Sequence, residues 1–295
     1  MIKRFGFWIM TNILIIVLVS TIVTVATRYL GIQMPTGYAG LFVMCFIFGM
    51  VGSFVSLKLS RWMAKRSMGV ELVEGNPNYT DLVQTVHQLS RKAGIETMPE
   101  VGVYNSPDVN AFATGGSKNT SLVAVSTGLL ERMSKEERDG VLAHEVAHIE
   151  NGDMVTMALV QGVVNTFVMF AAFVVTQIID NAMRGDDDER GGGLGFFAQM
   201  IVRNLLQVFF GILAMPLVAY FSRWREYRAD AGSAKLGGKD NMIKALENLQ
   251  SNQALMSEVK EDNMAAFQIS AKTGFMALMS THPPLEDRIA ALKRS

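Results

Sequence analysis

The chain has little of three things that usually organise a protein of its length: cysteine, histidine and charge. Of its 295 residues one is a cysteine, Cys45, so no disulfide can close within the chain. Its neighbours Val43, Met44, Phe46 and Ile47 are apolar, and the thiol reads as a small buried hydrophobe. The histidines number four, His87, His144, His148 and His282, so any metal must be held by these and by carboxylates. Charged residues make up 18% of the sequence and hydrophobic ones 49%, where ordinary soluble domains carry about 25% charged residues. That shortfall points to membrane-embedded segments. Lys+Arg and Asp+Glu balance at 27 each. There is no excess positive charge to attract nucleic acid and no nucleic-acid motif, so that class of partner is set aside.

What the chain has instead is length without charge. Phe5–Thr27 is an uncharged apolar run behind Lys3 and Arg4, and reads as a first membrane span. A signal peptide is the competing reading, but the run is long and no small-x-small cleavage pattern clearly follows it. Tyr38–Leu57 is a second run, Met154–Ile179 a third and Asn204–Ser222 a fourth. As a helix the third would be roughly 39 Å long, enough to cross with tilt. The third and fourth could instead be buried core helices. Lys58, Arg61, Lys65 and Arg66 follow the second run, and Arg223, Arg225 and Arg228 follow the fourth. The positive-inside rule then puts both termini and the polar segments in the cytoplasm, with the acidic, glycine-rich linker 180–194 as a flexible external loop.

The polar segments read as a small α+β unit. Thr80–Ala93 carries apolar residues at a helical period, with Thr80 in the N-cap place and Gly94 closing it. His87 lies beside that apolar face and reads as a surface or boundary residue. The period then shifts toward two: "EVGVY" (100–104), "NAFAT" (110–114) and "SLVAV" (121–125) are short strands separated by turn residues, and a small antiparallel sheet is expected. Ser134 with Glu137 three later forms a capping box opening a helix through both central histidines, with Gly152 as its end or kink. The C-terminal part reads as helices around "REYRADAGSAKL", "NMIKALENLQ" and "LEDRIAALKR", with 251–275 as a mobile loop.

The chemistry concentrates at His144 and His148. Four residues apart on a helix, their imidazoles stack on one face and can share an ion. Glu145 is about a hundred degrees round, beside such an ion, placed to take a proton from the attacking water. A catalytic site needs a third protein ligand. Glu226 and Asp230 are also one turn apart on one face. Glu226 could ligate while Asp230 orients a histidine; spacing alone leaves open that both are ordinary exposed acids. His282, in "THPP", could sit at the start of a helix with no catalytic part.

With "HEVAHIENGDM", "EYRADAGSAKL", "NAFATG" and "THPPLEDRI" in this order among hydrophobic runs, the chain resembles the HtpX family of bacterial heat-shock membrane zinc proteases, which are related to the CAAX prenyl proteases. The resemblance covers nearly the full length. It implies a mostly helical α+β integral membrane protein with a zincin-like catalytic domain and about four transmembrane helices. It implies one zinc ion per chain on His144, His148 and Glu226, with Glu145 as general base, Asp230 supporting a ligand and His282 near the site. It also places Asn110, Ala111, Phe112 and Ala113 beside the cleft; short, rich in small residues and flanked by turns, the stretch reads as an exposed strand edge that could hold substrate backbone, with an internal strand of the small sheet as the alternative.

The expected organisation is two spans in 1–58, a cytoplasmic catalytic part in 59–153, two further spans in 154–222, and a second cytoplasmic part in 223–295 carrying the third ligand. The expected function is proteolytic quality control in the bacterial inner membrane, cutting damaged or misfolded membrane proteins. A CAAX-type prenyl-protein protease is the alternative, and would be expected to carry more spans around a chamber. A non-catalytic zinc-binding membrane protein is the more distant one, since the spans carry no His, Asp or Glu and a zinc carrier has no need of Glu145. Natural substrates, cleavage specificity and oligomeric state are not legible in the sequence.

Overall fold

The computed structural model describes residues 17–21, 23–25, 27–29, 36–184, 193–264 and 280–295. Most of the first uncharged run, the centre of the acidic linker (185–192) and residues 265–275 of the expected loop lie outside the described residues. By internal contacts the chain divides into two units. One comprises Met1–Ser56 with Ala158–Val218, the other Leu57–Met157 with Ala219–Ser295.

The first unit is built from apolar helices. Described residues between 17 and 28 are helical (α1). Among the described residues three helices are long and apolar enough to cross a membrane: α2 (Gly37–Ser67), α6 (Asp153–Met183) and α7 (Phe196–Gly237). Within this unit α2 and α6 approach closely. A Cβ placed on Gly49 would lie 2.6 Å from the carbonyl oxygen of Gly162, and Phe42 packs against Phe167 and Phe170. Small residues allow this, because helices in a bilayer associate mainly through van der Waals contact. Cys45 is buried, as its apolar neighbours suggest.

The second unit carries a four-stranded sheet of β1 (Glu71–Leu72), β2 (Glu100–Tyr104), β3 (Ala111–Gly115) and β4 (Ser121–Ser126), in the order β1-β2-β4-β3. The three longer strands lie where their alternation placed them. Their pairing differs from the expected antiparallel sheet: β2 and β4 run parallel, while β1–β2 and β3–β4 are antiparallel. Alternation marks a strand but not its partner, and here burial sorts them. β4 is buried along its whole length and takes the centre. β3, rich in small half-buried residues, goes to the edge, and the chain returning through it supplies the crossover that a parallel pair requires.

Helix α3 (Thr80–Lys92), α4 (Thr127–Arg132) and α5 (Lys135–Asn151) follow the polar segments. Thr80 is the first helical residue of α3 rather than its N-cap, because a 3₁₀ turn at Pro77–Tyr79 runs directly into it. His87 hydrogen-bonds the Pro99 carbonyl at 3.2 Å, as a boundary histidine would. The capping box forms: the Ser134 side chain accepts from the Glu137 N–H, and Glu137 Oε2 accepts from the Ser134 N–H. Gly152 ends α5 at φ 68°, a left-handed conformation that glycine reaches without the Cβ clash. Helix α8 (Lys239–Met264) extends the expected "NMIKALENLQ" helix, so 251–264 are helical rather than loop. Helix α9 (Leu285–Arg294) ends the chain.

Helix α5 is buried almost all round: Gly140–His144 and Val146–Ile149 are buried and Glu145 is half-buried. It lies among β3, β4, α3 and α8. Small side chains let it approach α7 and α8. A Cβ on Gly140 would come within 2.5 Å of the Asn241 carbonyl oxygen, and one on Gly237 within 2.7 Å of the Ala143 Cβ. The α7 contacts, Gly237 on Ala143 and Gly232 on Ala147, each fall one residue before a histidine and bring the acids of α7 within reach of the imidazoles of α5.

Candidate metal centre

His144 and His148 share one helix face as their spacing predicts, with ring centroids 4.6 Å apart and the rings edge to face. Their Nε2 atoms converge to 3.1 Å. Glu226 meets them from α7, with Oε2 3.5 Å from His144 Nε2 and Oε1 3.3 Å from His148 Nε2. One ligand atom from each of the three side chains lies within 4.8 Å of the others, and all three residues are buried. Two imidazole nitrogens facing one another across a carboxylate, out of water, are donors arranged around a cation. The donor set suits a borderline ion such as zinc and supplies three of the four ligands such an ion takes.

The other ring nitrogens are also occupied. His144 Nδ1 lies 3.0 Å from Asp230 Oδ1, and His148 Nδ1 lies 2.6 Å from Asp153 Oδ2. A carboxylate on Nδ1 fixes the tautomer that leaves the Nε2 lone pair free for a metal, and orients the ring. Burial disfavours a charged His148, but the Asp153 and Glu226 carboxylates outweigh it, and the pKa of the metal-free side chain is raised to about 9.

Asp230 is itself gripped by Arg288 of α9, with Nε 2.8 Å from Oδ2 and Nη2 2.6 Å from Oδ1. His282 places Nδ1 3.2 Å from Glu226 Oε2 while its side chain stays 63% exposed. Glu145 is half-buried beside the pair, close enough for its charge to favour protonation of His148. Ala111, Phe112 and Ala113 lie in the edge strand, which contacts α5, and Asn110 immediately precedes it. Phe112 sets its ring 5.7 Å from that of Tyr104, tilted by 46°.

Two residues at this centre were not singled out in the sequence. Asp153 stands five residues after His148, behind Gly152. The signal for it was the acid in "HIENGDM" at the start of a new helix. Arg288 shares a helical face with Leu285, Ile289 and Leu292. A cation on an apolar face is uncommon unless paired inside, and that was its signal.

Residues 77–295 match the model of peptidase family M48. A protein of Shewanella baltica and one of Shewanella denitrificans, each named Protease HtpX, are both 52% identical to this chain over 295 residues, covering 99% of it and 100% of the relative. The protein of the same name from Shewanella oneidensis is 52% identical over 293 residues, covering 99% of each chain. Among solved structures, the crystal structure of S. mikatae Ste24p superposes with a TM-score of 0.67 at 19% identity, a likeness of fold. It covers 99% of this chain, and the chain spans 64% of that protein's length. The chain belongs to peptidase family M48, within its HtpX proteases, and is a membrane metalloprotease.

Proposed function

We propose that this protein is a zinc-dependent endopeptidase that cuts damaged or misfolded membrane proteins, holding one zinc ion per chain on His144, His148 and Glu226. The observation that carries the reading is the convergence of the two Nε2 atoms, 3.1 Å apart, on both oxygens of Glu226. The chemistry a zinc ion supplies when held there is polarisation of the scissile carbonyl and activation of a water near neutral pH. Glu145, off the ligand face and half-buried, accepts the proton of the attacking water and passes it to the leaving amide nitrogen. Asp230 and Asp153 hold the two imidazoles. His282, anchored on Glu226 but largely exposed, faces the side from which a substrate arrives.

Substrate backbone pairs with the outer edge of β3. The register supports this. Asn110, Phe112 and Thr114 stand opposite Ser126, Ala124 and Leu122, and the Ser126 N–H bonds to the Asn110 carbonyl. By the alternation of an antiparallel ladder, Ala111 and Ala113 turn their N–H and C=O groups away from β4. Every peptide carries the matching groups, so such an edge accepts varied sequences.

The protein resides in the bacterial inner membrane with four spans and a cytoplasmic catalytic unit, a reading supported by the cations that follow α2's apolar part and the fourth run. The purified protein in detergent should cleave an unfolded membrane protein, lose that activity to a chelator and regain it with zinc. Full cleavage by protein shown to be metal-free would overturn the reading.

A further inference from the structure

Arg288 is 6% exposed, and a buried guanidinium requires partners. Its partner is Asp230, itself 2% exposed, held by two parallel hydrogen bonds. This fork fixes the plane of the carboxylate. Asp230 Oδ1 therefore accepts from Arg288 Nη2 at 2.6 Å and still faces His144 Nδ1 at 3.0 Å. The same guanidinium places Nη1 3.5 Å from Glu226 Oε2. One cation thus touches the acid that orients His144 and also one of the three proposed ligands.

The other half of the centre lacks this. Asp153 orients His148 through Oδ2, but its buried Oδ1 has no hydrogen-bond partner. The two imidazoles are therefore not held alike: His144 is fastened through a carboxylate that is itself fixed, His148 through one that is half free.

We propose that Arg288 is a positioning residue for the metal centre, which aims His144 through Asp230, so that the C-terminal helix helps set metal affinity. The inference rests on the metal reading of His144, His148 and Glu226. Plain structural docking is the competing account of a buried Arg–Asp pair. Here Ile289 and Leu292 pack with Met242 and Leu246, so α9 has apolar docking contacts of its own beside the arginine. Its short contacts, 2.6 and 2.8 Å, are both with Asp230, and the one to Glu226 is longer at 3.5 Å.

The test measures zinc affinity by chelator competition, and the visible absorption of cobalt-loaded protein, in detergent-solubilised full-length chain. Arg288→Met should bind zinc about 10–100-fold more weakly and alter the cobalt spectrum, which a docking role would leave unchanged. Arg288→Lys keeps the charge without the fork and should fall between parent and Arg288→Met. In an Asp230→Asn background, Arg288→Met should cost little further affinity, because the arginine acts through that carboxylate. Parental affinity and cobalt spectrum in Arg288→Met, or an equal further loss in the Asp230→Asn background, would overturn the proposal. Should Arg288→Met not fold, Arg288→Lys decides, and parental affinity there overturns it. A parent that takes up no zinc at all would instead show the metal reading to be at fault.

Discussion

His148 Nδ1 lies 2.6 Å from Asp153 Oδ2, across the left-handed Gly152 that ends one helix and begins the next. The contact joins the last turn of the histidine helix to the first residue of an apolar helix. Replacing Asp153 with alanine frees the ring to rotate and removes the tautomer lock, so zinc affinity should fall about 10–100-fold. Chelator competition measures it, and an unchanged affinity would show that His148 needs no carboxylate.

Glu145 and Glu226 should separate chemistry from affinity. Glu145→Ala should abolish peptide cleavage while metal content stays at about one ion per chain, since the side chain is off the ligand face. Glu226→Ala should lose most of the metal. Metal analysis of dialysed protein, beside a cleavage assay, checks both. Turnover by a clean Glu145→Ala preparation, or full metal in Glu226→Ala, would reassign that residue.

Metal removal should reveal a pH dependence. In metal-free protein the His148 pKa is raised to about 9, above an ordinary value of about 6.5. Its contribution to stability is therefore fully present below about pH 6.5 and fades as pH rises through 9. Zinc must displace the same proton, so zinc affinity should climb over this window. Thermal melting of metal-free protein at pH 6 and pH 9.5, with zinc titrations at both, tests the sign. Melting that rises with pH in the metal-free protein, or affinity that falls, would contradict it.

Reporter fusions at Gly75 and Gly238 should read cytoplasmic, and one at Gly192 external. A cytoplasmic signal at Gly192 would mean that Met154–Ile179 and Asn204–Ser222 do not cross, and that the buried-helix reading of them holds.

Proline at Ala111 or Ala113 removes an N–H that the β4 ladder does not use. At least one of these variants should stay folded and zinc-loaded yet lose cleavage of unfolded substrates severalfold or more. If both fold, hold zinc and cleave at the parental rate, the substrate is not gripped by this strand.

Local signals were strong where physics is local. The Ser134–Glu137 capping box, the Gly152 terminus and the extents of β2 and β4 follow from residues within a few positions of one another, and they appear where expected. The pairing of the strands did not follow. Parallel β2–β4 pairing depends on which strand can be buried on both faces, a property of the whole unit. The continuation of α8 to Met264 was missed because its later residues are polar, without a clear apolar stripe.

The sequence by itself determined the His144–Glu145–His148 unit, because four residues along a helix is one turn, and it determined the long uncharged runs, because their lengths meet the thickness of a bilayer. It also put Glu226 and Asp230 on one helix face, but not what that face meets. Only the tertiary structure decided that Glu226 turns both oxygens to the imidazoles, that Asp230 and Asp153 divide the two Nδ1 atoms between them, and that Arg288 reaches in from the last helix. The physical reason is distance along the chain. Arg288 meets Asp230 across 58 residues and stands 144 residues beyond His144, and no local preference encodes such a meeting. The packing of Gly140 and Ala143 against α8 and α7 brings these side chains together, and burial then favours pairing the charged ones with one another.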